Sequence, residues 1–288
     1  MEVSALVIAQ AMVNSLMMGA VYTLIALGLN FIFGILRIVQ FAHGQIYMMA
    51  GFAVFIFCTQ FGLNYFVALL LATVVVSLGS LVLERVFFRP FIGQLMPSMI
   101  VGVGLMLVFE GIFQARFGSR SNFIESPLPG VVNIAGITVQ ESRLLVLGVS
   151  ACLIVAVFWY LRNTKAGQAM RAVSFNEDAA TLQGINANRI RALGFAIGSG
   201  LAALAGGLML IVQYVDPFVG TPMMIKGLII IMVGGLGSLS GAVVGAFTLG
   251  LIDSLGFTFI GSGALLFSYI LVIVILIFRP KGVLGRGQ

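Results

Sequence analysis

The chain has 288 residues, of which 60% are apolar and only 8% charged, against roughly 25% charged in an ordinary soluble domain. That balance excludes a soluble globular protein. The formal net charge of +6 does not indicate a partner nucleic acid either, because the basic residues sit in gaps between apolar runs, where they orient a membrane protein.

Uncharged runs at residues 3–36, 38–83, 90–109, 144–161, 192–215, 227–252 and 254–278 supply about eight helical membrane segments at about 20 residues per crossing. The expected fold is an all-α integral membrane protein, a single transmembrane domain over residues 1–288 with broken or re-entrant Gly-rich helices. Cys58 and Cys152 lie in different apolar runs; they form neither a disulfide framework nor a metal-ligand pattern and read as small buried apolar residues. No catalytic, cofactor-binding or metal-ligating residue is assigned.

The first run is too long for a signal-peptide core and only Glu2 precedes it, so it reads as a retained first span. Residues 37–51 then place Gln40, His43, Gly44 and Gln45 between two apolar stretches. The second run holds two spans, about residues 44–60 and 64–84, joined by the polar turn Gly62-Leu63-Asn64. A short connection at residues 85–90 leads to a span at 97–116. The loop 117–142, with Pro127, Pro129 and Gly130, leads to a span at 143–161 that closes on Trp159 and Tyr160, interfacial anchors before Arg162.

Residues 162–191 hold Arg162, Lys165, Arg171, Arg189 and Arg191, the densest basic cluster, so the positive-inside bias places this stretch in the cytoplasm. Threading backwards makes 117–142 external, 85–90 internal, Arg37 and His43 internal, and the N-terminus external. Forwards, Arg279, Lys281 and Arg286 ask for an internal tail as well, yet three apolar runs intervene, and an odd number of crossings cannot deliver it. Residues 227–256 are therefore expected not to form one straight helix. Gly234, Gly235, Gly237, Ser238, Ser240 and Gly241 interrupt them, and either a re-entrant pair or two short spans restores parity.

Irregular backbone at membrane depth survives only where protein buries it or water satisfies it, so both interruptions point to a transport pathway. Breaks in both halves are the pattern of a transporter built from related repeats, although the halves do not align by eye. Close helix packing is the other reading of the glycines: Gly194 with Gly198, and Gly241 with Gly245, have GxxxG spacing. Both readings stand for residues 234–241.

In the cytoplasmic stretch, Ser174-Phe175-Asn176-Glu177 reads as a Ser-x-x-Glu capping box and Gly184 as a helix stop. Phe175, Ala179 and Leu182 share one face of the short helix between them. Isolated helices under about 12 residues are marginal in water, so this one needs a surface. That surface is the chain's own helix ends, lipid headgroups, or a separate cytoplasmic protein, for which Arg171, Glu177, Asp178 and Arg189 provide a polar rim.

Ionisable groups within apolar runs are functional candidates by default. Glu110 reads as structural, near the external interface with Arg116 beside it. Asp253 reads as lying near the outer mouth, and His43 as a helix cap in preference to a backbone partner or a channel group. Asn14 and Asn30 read first as interhelical hydrogen-bonders.

The stretch Gly28-Leu29-Asn30-Phe31-Ile32-Phe33-Gly34-Ile35-Leu36-Arg37-Ile38-Val39-Gln40-Phe41-Ala42-His43-Gly44, continuing to Gly51, resembles the first signature of the LivH-type permeases, membrane subunits of ATP-binding-cassette importers for branched-chain amino acids. Thr164-Lys165-Ala166-Gly167-Gln168-Ala169-Met170-Arg171-Ala172-Val173, the Gly184-Ile185 pair and Ala205-Gly206-Gly207 resemble that family's cytoplasmic loop and next span. Asp178-Ala179-Ala180-Thr181-Leu182-Gln183-Gly184 fits, with Asp for Glu, the EAA-x-x-x-G pattern that contacts the ATPases. Gly234-Gly235-Leu236-Gly237-Ser238-Leu239-Ser240-Gly241 and Arg279-Pro280-Lys281-Gly282 resemble its Gly-rich segment and tail. Gln45 departs from the pattern, since an acidic residue is expected after the His-Gly pair.

The resemblance implies a permease of the bacterial cytoplasmic (inner) membrane with a cytoplasmic C-terminus, working by alternating access. Its implied partners are a second permease subunit, two cytoplasmic ATPase subunits that use ATP and Mg, and an extracytoplasmic amino-acid-binding protein. No G-x-x-x-x-G-K-[ST] loop occurs, so the chain itself is not expected to bind ATP or to be an enzyme. On this reading ATPase coupling falls to Ser174, Phe175, Glu177, Asp178, Ala179, Ala180, Leu182 and Gly184. The translocation pathway takes Asn30, His43, Gln45, Gly234, Gly235, Gly237, Ser238 and Asp253. The rival readings are an ion-coupled secondary transporter, which should carry more ionisable groups at mid-depth, and a passive channel for small solutes such as urea.

Overall fold

A computed structural model describes residues 5–134, 137–279 and 282. The first apolar run is one helix, α1 (Ala5–Leu36). The second divides where the polar turn predicts, into α2 (His43–Thr59) and α3 (Tyr65–Leu83), and Asn64 starts α3 by accepting a hydrogen bond from the Phe66 amide at 3.0 Å. A π turn (Glu84–Phe88) and a 3-10 turn (Arg89–Phe91) lead to α4 (Leu95–Phe117). The loop after α4 contains an antiparallel hairpin, β1 (Val131–Ile134) and β2 (Ile137–Gln140), with Val131 opposite Gln140; this is the departure from an all-α chain. There follow α5 (Glu141–Asn163), α6 (Lys165–Phe175), α7 (Glu177–Leu182), α8 (Ala187–Met209), α9 (Gly220–Gly234), α10 (Leu239–Ile260) and α11 (Ala264–Phe278).

Among the described residues six helices are long and apolar enough to cross a bilayer: α1, α3 with its extension, α4, α5, α8 and α10. The other apolar helices, α2, α9 and α11, have 17, 15 and 15 residues and reach only about 26, 22 and 22 Å at 1.5 Å per residue, short of a core of about 30 Å, so six full-length spans stand against the expected eight membrane segments. The expected straight-helix failure at residues 227–256 occurs at residues 235–238. Gly235 and Gly237 take φ of 103° and 80°, values open to glycine but not to side chains with a Cβ. Ser238 then caps α10 by accepting from the Gly241 amide at 3.1 Å.

The helices α1 and α8 form the centre, with 89% and 67% of their apolar windows buried against 17% for α4. Their backbones touch at Gly28 and Gly198, where a Cβ on either would strike the other's carbonyl oxygen, and Gly194 takes Ile35 of α1. The GxxxG pairs are thus packing sites: Gly241 backs on Gly234, and Gly245 on the Ile230 carbonyl. Cys58 is half-buried and Cys152 exposed, so the expectation that both are buried fails; α5 turns Cys152 outward because its inner face is taken by Val146 and Ser150.

The neighbour relations repeat. The packing of α10 along α1 matches that of α3 along α8; α2 lies on α8 as α9 lies on α1; α4 leans on α2 as α11 leans on α9; and α2 meets α9. Exchanging α1 to α4 with α8 to α11 leaves these pairings unchanged. Contacts of Gly28 with Gly198 and of Ile35 with Gly194 run in opposite directions along the two chains, so the repeat is inverted. A short likeness follows the same exchange: Ile38-Val39-Gln40-Phe41 answers Ile211-Val212-Gln213-Tyr214, and Gly44 and Gly51 answer Gly220 and Gly227. Gly282 lies against Gly235, so the chain after α11 returns to the end where α9 turns into α10. Lys281 and Arg286, invoked for the tail's orientation, lie outside the described residues, as does Pro280.

Candidate translocation seam and coupling surface

The two short helices meet at their first turns. A Cβ at Gly44 would strike the Gly220 carbonyl oxygen, so only a bare backbone allows this approach. Beside the contact, the Gln45 Nε2 donates to Thr221 Oγ1 at 3.4 Å and the Thr221 hydroxyl donates to Glu110 Oε2 at 3.2 Å, linking α2, α9 and α4. Glu110, expected at the external interface beside Arg116, thus faces the seam, and a carboxylate stands two hydrogen bonds, through Thr221, from the position where Gln45 replaces the expected acid.

His43 is fully buried on the first turn of α2, and its Nε2 lies 3.3 Å from the Ile25 carbonyl oxygen. It does not cap the helix: the N-cap is Ala42, without a side-chain bond. The imidazole is drawn instead to α1, where Gly28 leaves room for it. His43 Nδ1, Gln45 Oε1 and both amide atoms of Gln40 are buried with no hydrogen-bond partner. Unsatisfied polar atoms in low dielectric cost about 1–3 kcal/mol each, and these belong to three residues close together in sequence around the start of α2.

One helical turn further into α9, Lys226 Nζ lies 2.6 Å from Asp253 Oδ2 and donates to the Tyr22 hydroxyl at 2.5 Å, while the Tyr22 hydroxyl donates to the same carboxylate oxygen at 2.8 Å. All three are buried. Asp253, expected near the outer mouth, is enclosed by protein between α1, α9 and α10, and Lys226 supplies the counter-charge that makes its burial tolerable. Asn30 bridges to the turn between α9 and α10, accepting from the Gly237 amide at 3.0 Å and donating to the Ser238 carbonyl at 2.9 Å. Asn14 accepts from Arg143 Nη1 at 2.5 Å. Both asparagines are interhelical bonders, as expected. Among the described residues no three His, Cys, Asp or Glu side chains gather where they could hold a metal ion.

At the basic end, the expected capping box does not form. Ser174 lies in the last turn of α6, beside Gly34 of α1, and Asn176 is the N-cap of α7, accepting from the Ala179 amide at 3.0 Å. The stop at Gly184 holds: Gly184 N–H donates to the Thr181 carbonyl at 2.9 Å and Ile185 N–H to the Ala180 carbonyl at 3.2 Å, with Gly184 at φ 82°, which is a Schellman close. Met170 and Val173 of α6 and Ala180 of α7 are buried against the chain. Phe175 and Leu182 are 90% and 88% exposed, and Asp178 and Ala179 are exposed with them. Glu177 pairs with Arg191 of α8, whose guanidinium also interacts with Glu84 at the end of α3.

A family profile described as "Branched-chain amino acid transport system / permease component" matches residues 11–279. The chain belongs to this permease family. The permease is 31% identical to the high-affinity branched-chain amino acid transport system permease protein BraD of Pseudomonas aeruginosa, over 97% of this chain and 96% of that one. It is 28% identical to LivH, the corresponding permease protein of Escherichia coli, over the same shares. Among solved structures, PsaBC from Streptococcus pneumoniae in complex with Fab superposes with a TM-score of 0.52 at 16% identity, covering 93% of the permease and 91% of that chain; this likeness concerns the fold.

Sequence reasoning missed Lys226 and Tyr22 in this permease. Lys226 served only to bound an apolar run, although a lone cation with nine uncharged neighbours on one side, 217–225, and 26 on the other, 227–252, would itself have marked an intramembrane site. Thr221 carried no signal, since one hydroxyl among apolar residues is unremarkable.

Proposed function

We propose that this chain is the membrane-spanning subunit of an ATP-binding-cassette importer and that, with a second permease subunit, it forms the path by which branched-chain amino acids enter the cell through the bacterial cytoplasmic membrane, the basic end and the C-terminus facing the cytoplasm. Two separate ATPase subunits supply the energy, binding ATP with Mg, and an extracytoplasmic binding protein delivers the amino acid. The substrate class rests on what the named relatives carry.

The observation that carries the reading is α7. It is capped at both ends and tied to α8, and Phe175, the last residue of α6 just before it, and Leu182, its own last residue, both stand in open water. Exposed apolar side chains beside and on so short a helix are stabilised by a partner surface, here a groove on an ATPase, with Asp178 and Ala179 facing it and Ala180 holding the helix against the chain. When the ATPases close on ATP, α7 moves with them. The pair of Glu177 and Arg191 passes the displacement to α8, and α8 carries Gly206 against the Tyr47 backbone of α2. The seam lined by His43, Gln45 and Gln40 then opens and closes by alternating access, two packings separated by a few kcal/mol. Asn30 with Gly234, Gly235, Gly237 and Ser238 forms its inner end. The buried Lys226 and Asp253 neutralise each other, which argues against an ion-coupled carrier with an open charged site.

The test is co-expression with the ATPase, second-permease and binding-protein subunits. Leu182→Asp, and separately Gly184→Pro, should abolish both ATPase co-purification and uptake while the chain remains in the membrane. Normal uptake with normal co-purification in both variants overturns the coupling assignment, and solute flux through vesicles containing this chain alone overturns the importer reading.

A further inference from the structure

A groove of about 810 Å3 opens on the outer side of α5 at its basic end, within the range of about 300–1,000 Å3 typical of ligand pockets. Its wall is apolar: Ile154, Val155, Phe158 and Trp159 line it, and Val155 and Trp159 are 67% and 61% exposed. Arg162 and Arg171 stand at the rim and no acidic residue lines it. Arg162 is exposed and makes no hydrogen bond or ion pair among the described residues. Arg171 is exposed and commits one donor to the Leu161 carbonyl, leaving others of its five free.

An apolar trough ending in two unneutralised guanidinium groups complements an amphiphile with an acyl chain and an anionic head. We propose that this groove binds an anionic phospholipid of the leaflet on the basic side, its phosphate between Arg162 and Arg171 and one acyl chain along Val155 and Phe158. Basic pockets between membrane helices take such headgroups, and a guanidinium holds phosphate by paired hydrogen bonds. A protein occupant would have to bring acidic side chains to the lipid boundary, where a phospholipid carries its phosphate already. The site stands independently of the ATPase reading.

Trp159 is the single tryptophan of the chain and lies in the groove, so its fluorescence reports occupancy. The full chain reconstituted in bilayers is titrated with phosphatidylglycerol or phosphatidylcholine carrying brominated chains. Phosphatidylglycerol should quench at a severalfold lower mole fraction, and Arg162→Gln and Arg171→Gln should each reduce that preference by about fivefold, the attraction of one basic side chain for an anionic surface. Arg162→Gln alone suffices if Arg171→Gln misfolds. Equal quenching by the two lipids, a preference unchanged in Arg162→Gln, or no quenching by either because a protein covers the groove overturns the assignment.

Discussion

Lys226, Asp253 and Tyr22 bond to one another where all three are buried, and the separation of 2.6 Å for the ion pair makes each dependent on the other. Removing one member of a buried pair typically costs about 3–5 kcal/mol, because the survivor stays buried and uncompensated, whereas replacing both by apolar groups is often neutral. Asp253→Asn should therefore lower the thermal unfolding temperature of the purified chain sharply, Lys226→Met similarly, and the Lys226→Met/Asp253→Leu double variant should recover most of the loss. Additive losses in the double variant would show that the pair does not act as a unit. Asp253 was read as an intramembrane charge and Lys226 could have been; their pairing was not legible, because 27 residues separate the two and helix geometry alone does not say which helices meet.

The short helix α7 depends on its ends. Its six residues cannot support themselves through hydrogen bonding, so the Asn176 cap and the Gly184 close decide whether it exists. Asn176→Ala should cost about 1 kcal/mol, lowering uptake by the assembled importer, while Asn176→Asp should preserve it. Ser174→Ala should leave uptake unchanged, since Ser174 belongs to α6; measuring uptake in the three variants separates the observed cap from the Ser-x-x-Glu box suggested by sequence. Sequence placed a helix here, its stop and its open apolar face, and misplaced its start by two residues because Asn and Ser are near-equal caps and only the backbone turn between α6 and α7 distinguishes them. The same limit explains His43: a first-turn polar residue reads as a cap until the neighbouring helix offers it the Ile25 carbonyl.

The inverted arrangement puts two half-length helices head to head, and its consequence is that single glycines there are not interchangeable with others in the chain. Gly44→Ala should abolish uptake or assembly, because the added methyl meets the Gly220 backbone. Gly220→Ala should be damaging but milder, since the Gln45 side chain at 2.5 Å can move and the fixed Gly44 carbonyl oxygen lies at 2.8 Å, against 2.0 Å from a Cβ at Gly44 to the Gly220 carbonyl oxygen. Gly79→Ala, with nothing within 4 Å, should be tolerated; expression and uptake of the three variants check the order. By itself the sequence determined the membrane class, the polar turn at residues 62–64, the break near residue 235, a short helix stopped at Gly184 and the family, all of which follow from composition, local backbone preferences or contiguous motifs. The tertiary structure alone decided the repeat, the seam and the buried ion pair. Their signals in the chain are a few residues long and far apart, and a contact such as that of Gly44 with Gly220 comes into being only when α1 and α8 have packed and carried both short helices to the same depth.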